Sequence, residues 1–355
     1  MQRARWIGIG LVVIAIVMTV TTLLRPRPEP VYRGRSVSSW LKQATEPAKR
    51  SKRVIEARGA ICAIGPDEAI PVLVKLAGTK QTDRTFNDWL IEFARSFNIN
   101  VTSAYESSDP GVMAMTGFEA LGTNAAAAVP ELAKLVKQPE HAVIALQCLA
   151  MIGPPARDVL CDALKSNDAQ TRTMALWNLS SATGVSEAFW TNVQPCVTDT
   201  DFAVRSTAIQ VVGSQTHAPE KAVPLLMSVL HRDDTNDIAN AVNQLANFGT
   251  NAAAAFETLS NFTYESPHSL TGFSSLRTMT IIAPERTLPL LSRRLHSVDP
   301  GLRAQALVLL VRDYPKPTDA IPAVEYAATD PEEFIATRAD EFLARVKATT
   351  TPSSQ

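Results

Sequence analysis

The sequence predicts an all-α chain: an α-α superhelix, or solenoid, of stacked helix pairs behind an N-terminal transmembrane helix. Three observations predict it. A phrase consisting of a small-residue turn, Ala-x-Pro and leucines at helical spacing recurs as IGPDEAIPVLVKL, LGTNAAAAVPELAKL, APEKAVPLLMSVL, APERTLPLLSRRL and PTDAIPAVEYA. The segment GTNAAAA at 122–128 returns unchanged 127 residues later, at 249–255. The run from Trp6 to Leu24 holds 19 uncharged residues, enough to span a bilayer core. A unit as short as the recurring phrase cannot bury its own apolar face, so it must stack on its neighbours.

Prolines set the phase, at Pro71, Pro130, Pro224, Pro289 and Pro322. The 192 residues from Pro130 to Pro322 hold six periods of about 32 when further units are placed at Val159, Pro195 and Glu257. Proline fits the first helical position, where its missing N–H would have no partner, so these prolines are expected to open the second helix of each pair. Leucines three apart, Leu73 and Leu76 or Leu132 and Leu135, then line one face. Gly65, Gly122, Gly153, Gly213 and Gly249 stand where a left-handed residue would end the preceding helix. Asn167–Asp168, Asp199–Asp201, Asp233–Asp234, Asp299 and Asp330 are placed to cap the next unit.

First helices carry Arg172 before Ala175, Arg205 before Ala208 and Arg303 before Ala306. The alanines allow close helix approach. The arginines form either a ligand-binding row or an intramolecular ladder to acidic caps; a bidentate carboxylate is the best partner for such an arginine, which favours the ladder.

The phased set, D-x-x-V-R-x-x-A, then Gly, then A-x-P-x-L, resembles the HEAT repeat family and more closely its bacterial HEAT-like form, over Val54 to Val346. The resemblance implies about nine helix pairs. Departures fall around Ala188–Cys196, with Trp177 and Trp190 nearby, and around Phe256, where the proline is missing.

From the N-terminus, residues 1–24 read as an uncleaved signal anchor. A cleaved signal peptide is the competing reading, but the apolar run is longer than a signal h-region and TTLLRPRPEP offers no small-residue cleavage site. Arginines flank both ends of the run, and the body is expected outside the cytoplasm, periplasmic and held to the membrane by residues 6–24. Residues 25–35 alternate proline with charge at first and read as a stiff stalk. Residues 36–53 read as a capping helix: Tyr32, Gly34 and Trp40 resemble a segment of anchored bacterial HEAT proteins, Ser36 or Ser38 would cap the helix, and Trp40 and Leu41 would cover the first repeat. The solenoid follows at 54–346, and 347–355 is polar enough to remain disordered. Pro71 to Pro130 exceeds one period by 27 residues, and the insertion at 79–110 places Phe86, Trp89, Leu90, Phe93 and Phe97 on one helical face.

Composition narrows the function. There are 34 basic and 35 acidic residues, a net charge of −1. That argues against a nucleic-acid partner, which would call for a basic stripe. Cys62, Cys148, Cys161 and Cys196 contain no C-x-x-C and read as small buried hydrophobes; Cys148 and Cys161, on the two helices of one unit, are the one pair to test for a disulfide. The five histidines, His141, His217, His231, His268 and His296, show no metal-ligand spacing. Asp233, Asp234 and Asp237 lack the EF-hand pattern and read as caps. No nucleophile elbow, phosphate loop or His-Glu pair occurs.

The expected function is therefore a non-catalytic, membrane-tethered scaffold for a protein partner, with no cofactor and no metal. Its candidate contact residues are Phe86, Trp89 and Phe93 on the insertion, with Lys75, Lys134, Lys165 and Arg293 from the second helices. The alternative, by analogy with bilin lyases built on HEAT-like repeats, is a lyase-like or cofactor-handling protein.

Overall fold

The computed structural model describes residues 28–46, 51–79, 109–180 and 187–350. The chain divides into two compact units, Met1–Leu135 and Val136–Gln355.

The first unit opens with a hairpin, β1 (Val31–Tyr32) against β2 (Arg35–Ser36), which runs directly into α1 (Val37–Ala44). The described end of the expected stalk is therefore folded down rather than extended, and its own side chains hold it. Ser36 caps α1 by accepting from the Ser39 amide. The Trp40 indole N–H donates to the Tyr32 carbonyl at 3.0 Å, and the Arg35 guanidinium lies 4.1 Å from the Trp40 ring. Glu29 accepts from the amide and hydroxyl of Ser38. Burial pushes the Glu29 carboxyl up, but these two hydrogen bonds, with help from the Ser36 hydroxyl and the Lys75 charge, outweigh it and hold the group below its ordinary range. Trp40 and Leu41 are buried, as a cap over the first helix pair requires.

That pair is α2 (Lys52–Ile64) and α3 (Pro66–Ala77); α4 (Pro110–Leu121) and α5 (Val129–Val136) form the next. Gly117 brings α4 against α3 and α1: a Cβ there would lie 2.2 Å from Leu73 Cδ2 and 3.1 Å from Leu41 Cδ2. The insertion aromatics Phe86, Trp89 and Phe93 lie outside the described residues.

The second unit contains six pairs: α6 (Pro139–Ile152) with α7 (Arg157–Ala163), α8 (Ala169–Ser180) with α9 (Glu187–Val193), α10 (Phe202–Gly213) with α11 (Pro219–Val229), α12 (Thr235–Leu245) with α13 (Phe256–Glu265), α14 (Leu270–Ile282) with α15 (Pro284–Leu295), and α16 (Pro300–Val308) with α17 (Pro317–Ala327). Consecutive first helices pack on one another from α6 to α14. Ala175, Ala208 and Ala306 are fully buried, so small residues do allow the close approach expected of them. A π-turn, Leu309–Asp313, extends α16. The final helix, α18 (Glu333–Thr350), buries Ile335, Ala339, Phe342 and Val346 along one stripe and closes the last pair.

The prolines are displaced from their expected place. Pro130 is the second residue of α5, as a helix opener should be. Pro71, Pro224, Pro289 and Pro322 instead lie inside α3, α11, α15 and α17, each five residues after the proline that opens the helix. All four are exposed, as are Asp67, Glu220, Glu285 and Thr318, whose carbonyls they leave without an amide. Water can satisfy those carbonyls, so the interior prolines are tolerated on this face.

The repeated GTNAAAA has one conformation twice. Gly122 has φ 54° and ψ −133°; Gly249 has φ 52° and ψ −137°. Each starts a 3-10 turn leading into the second helix, in Gly122–Ala128 and within Ala246–Ala255. Side chains rarely enter this backbone region, which explains the glycine. Gly213 departs from expectation: it is the last residue of α10 and leaves room for a neighbour, since a Cβ there would lie 2.5 Å from Gln244 Cβ.

The expected single-pass membrane location is corrected here. Among the described residues, no helix is long and apolar enough to cross a membrane. The helices are short; the longest, α18, has 18 residues and carries charges along its length. The apolar run 6–24 lies outside the described residues.

Candidate functional site

Two rows of charge cross the second unit. The first is buried. Arg172 holds Asp199 in a two-pronged pair, Nε to Oδ2 at 2.8 Å and Nη2 to Oδ1 at 2.7 Å. Arg303 holds Asp330 in the same way at 2.7 and 3.0 Å. Arg205 spans two carboxylates, Asp237 at 2.7 Å and Asp234 at 2.9 Å. In every rung Nη1 also donates to the two carbonyls five and six residues earlier: Ser166 and Asn167, Asp199 and Thr200, Ser297 and Val298. The arginines are thus consumed by the fold, and the structure decides for the intramolecular ladder over a ligand-binding row.

Electrostatics follow the geometry. The Asp199 and Asp330 carboxyls are held below the ordinary range, Asp330 chiefly by hydrogen bonding to Arg303, Asp199 by Arg172 against an opposing effect of burial. Asp168, Asp201, Asp234 and Asp299 cap α8, α10, α12 and α16 by accepting backbone amides. The acidic knot around Asp234 and Asp237 is thereby explained by a cap and an arginine rung. Among the described residues, no group of three or more His, Cys, Asp or Glu is arranged to hold a metal ion.

The second row is exposed and joins second helices near their N-termini. Lys221 on α11 pairs with Glu187 on α9, Arg286 on α15 with Glu257 on α13, and Lys316 ahead of α17 with Glu285 on α15. Between α11 and α13 no such pair forms among the described residues. There the 3-10 turn Ala246–Ala255 precedes α13 and packs on α11. A groove of about 720 Å³ opens at this position between α11 and the turn, with Val223, Pro224 and Met227 from α11 and Ala254 from the turn, and with Glu220, Ser228, His231 and Asn251 as its polar groups. On the other side of α11, a groove of about 340 Å³ shares Pro224 and Ser228 and is lined also by Trp190 and Leu225.

The four described contact candidates are exposed residues in four different repeats. Lys75 is on α3 and Lys134 on α5, where it pairs with Glu131 at 2.6 Å. Lys165 follows α7 and pairs with Asp162 at 2.8 Å, which raises its proton affinity. Arg293 lies near the end of α15 and lines a cavity of about 510 Å³. The α11–α13 groove was missed by sequence reasoning. Its one signal is GTNAAAA at 249–255, which marks a longer approach to the second helix.

The cysteines are all free thiols, so Cys148 and Cys161 are not bridged. Burial pushes the Cys148 thiol up to about 12 and the Cys196 thiol up to about 11. Cys62 is exposed, against expectation, and its thiol donates to the Ala120 carbonyl.

Helix pairs that lean, within the second unit, on the pair before and after them define a helical-repeat protein. No protein-family model matches the chain, and no curated protein matches it. Among solved structures, the complex of CpcE and CpcF of phycocyanin lyase from Nostoc sp. PCC7120 is similar at 19% identity and TM-score 0.36, over 63% of this chain and 89% of that one. A Kap95p complex with RanGDP is similar at 10% identity and TM-score 0.47, and Kap121p at 14% and 0.46. These cover 90% and 88% of this chain but only 45% and 40% of theirs. All three scores lie below 0.5, so the repeat architecture rests on the chain's own geometry.

Proposed function

We propose that the protein is a non-catalytic helical-repeat scaffold that holds a segment of a protein partner in the groove between α11 and α13. The observation that carries this reading is the missing rung of the exposed row: second helices are tied to their neighbours on either side, and the tie is absent where the larger groove opens. The groove offers Val223, Met227 and Ala254 as an apolar floor, with Asn251, His231, Ser228 and the Glu220 carboxylate as hydrogen-bonding groups beside it. That combination suits a short peptide segment with an apolar anchor and backbone amides to satisfy. The first-helix edge is a poorer docking surface because its arginines already have carboxylates. Lys75, Lys134 and Lys165, with Phe86, Trp89 and Phe93, remain proposed secondary contacts.

The lyase-like alternative draws no support from the cavities. Each of those described is lined by at most one Phe, Tyr or Trp ring, little for a large conjugated cofactor to stack on.

The test is site-specific photo-crosslinking in the native host, with the photoreactive residue at Ser228 beside the groove or at Phe202 on the first-helix side. The expected result is one protein joined through Ser228, lost when Met227→Asp is added, and not joined through Phe202. Equal labelling at both positions, or labelling that M227D leaves unchanged, would reject the groove.

A further inference from the structure

The cavity beside the end of α15 has an unusual charge arrangement. Its volume is about 510 Å³, and its lining includes Arg293, Arg294 and His296 but no carboxylate. The apolar part of its wall comes from Leu276, Leu290, Leu302 and Pro267. Asp299, close by in sequence, is committed to the Gly301 amide and to His268.

Arg294 differs from the other enclosed arginines of this unit. Arg172, Arg205 and Arg303 each meet a carboxylate. Arg294 donates through Nη2 to the Thr263 carbonyl at 3.0 Å, while its Nη1 is buried with no partner. Burial lowers its proton affinity, against a smaller opposing effect of the Tyr264 phenol, and no carboxylate reverses it. A buried guanidinium donor left unmatched is costly, and an incoming oxyanion would relieve that cost. Arg293 is exposed, has no ion-pair partner among the described residues, and adds a second positive charge at the same cavity.

We propose that this cavity binds a carboxylate attached to an apolar body. The Arg294 guanidinium, turning its Nη1 into the cavity, would take the carboxylate, Arg293 would supply a second charge, and the leucine wall would take the apolar part. The wall separates this ligand from inorganic phosphate, which has nothing to place against Leu276, Leu290 and Leu302. A free organic acid and the C-terminus of a peptide share the chemistry. The site is independent of the α11–α13 groove, and its failure would leave that reading intact.

Isothermal titration of the full chain tests it with five probes: 4-phenylbutyrate, 4-phenylbutyramide, a hexapeptide ending in leucine with a free C-terminus, the same peptide amidated, and inorganic phosphate. At least one carboxylate is expected to bind, and its amide to bind at least tenfold more weakly. Binding by phenylbutyrate alone assigns a free acid, and binding by the peptide alone a chain terminus; either supports the site. Arg294→Gln, which can still donate to Thr263, should lose at least tenfold in affinity. Arg293→Gln, at an exposed position that folding does not need, should lose about threefold. The proposal is overturned if neither carboxylate binds, if amides or phosphate bind as well as the acids, or if R293Q and R294Q both bind as the parent does; should R294Q fail to fold, an unchanged R293Q overturns it alone.

Discussion

The buried and exposed rows of charge both join successive repeats of the second unit, and the junction from α8 and α9 to α10 and α11 carries a rung of each, yet they have different consequences. A rung such as Arg172–Asp199 is enclosed, with both side chains 13% exposed, and four directional hydrogen bonds fix the guanidinium. A rung such as Lys221–Glu187 has its glutamate side chain 78% exposed. Water and salt compete with the second kind far better than with the first. The first row therefore sets how one first helix sits on the next, while the second can be missing between α11 and α13 without disrupting the stack. Charge on the first-helix edge thus serves the fold, whereas the second-helix surface tolerates the loss of a tie.

The largest expected effect comes from breaking a buried rung. Arg205→Ala would leave Asp237, 1% exposed and with Oδ1 already lacking a partner, facing only Arg232 at 3.5 Å. The expected loss is about 2–4 kcal/mol in urea unfolding. Replacing Gly249 with alanine should cost about 1–3 kcal/mol, because its backbone conformation is one that side chains rarely adopt. Gly122→Ala should cost a similar amount in the first unit, and thermal melts of the two variants check that the duplicated segment obeys one rule.

Acid should weaken the buried row. The folded-state affinity of Asp330 for a proton is lowered by Arg303. Its pairing thus contributes fully above the unfolded aspartate value of about 4 and is lost as pH falls through the lower folded value. Asp330→Asn should flatten the stability profile across that acid window while lowering stability at neutral pH, as followed by urea midpoints from pH 2 to 7. The smallest effect is expected in the exposed row: Lys221→Gln should cost about 0.5 kcal/mol or less, and that little should vanish in high salt.

Much of the fold was legible because its signals are local and periodic. Ser36 as a cap, Trp40 and Leu41 as a cover, and Asp168, Asp201, Asp234 and Asp299 at helix starts all follow from side-chain chemistry within four residues. The arginine ladder was legible for a related reason: its partners recur at nearly one period. The interior prolines were misplaced because Pro66, Pro219, Pro284 and Pro317 are equally good helix openers, and only solvent exposure reveals that a second proline one turn later is harmless. The α11–α13 groove and the unmatched Arg294 could not be read, since each depends on what fails to arrive from another repeat. A missing partner leaves no motif.

The most direct test sets the two rows side by side in double-mutant cycles, Arg172 with Asp199 and Glu187 with Lys221, by urea unfolding at low and high salt. The expected coupling is about 2 kcal/mol or more for the enclosed pair, nearly independent of salt, and about 0.5 kcal/mol or less for the exposed pair. Equal couplings, or a larger one in the exposed row, would contradict the division of labour between the two faces.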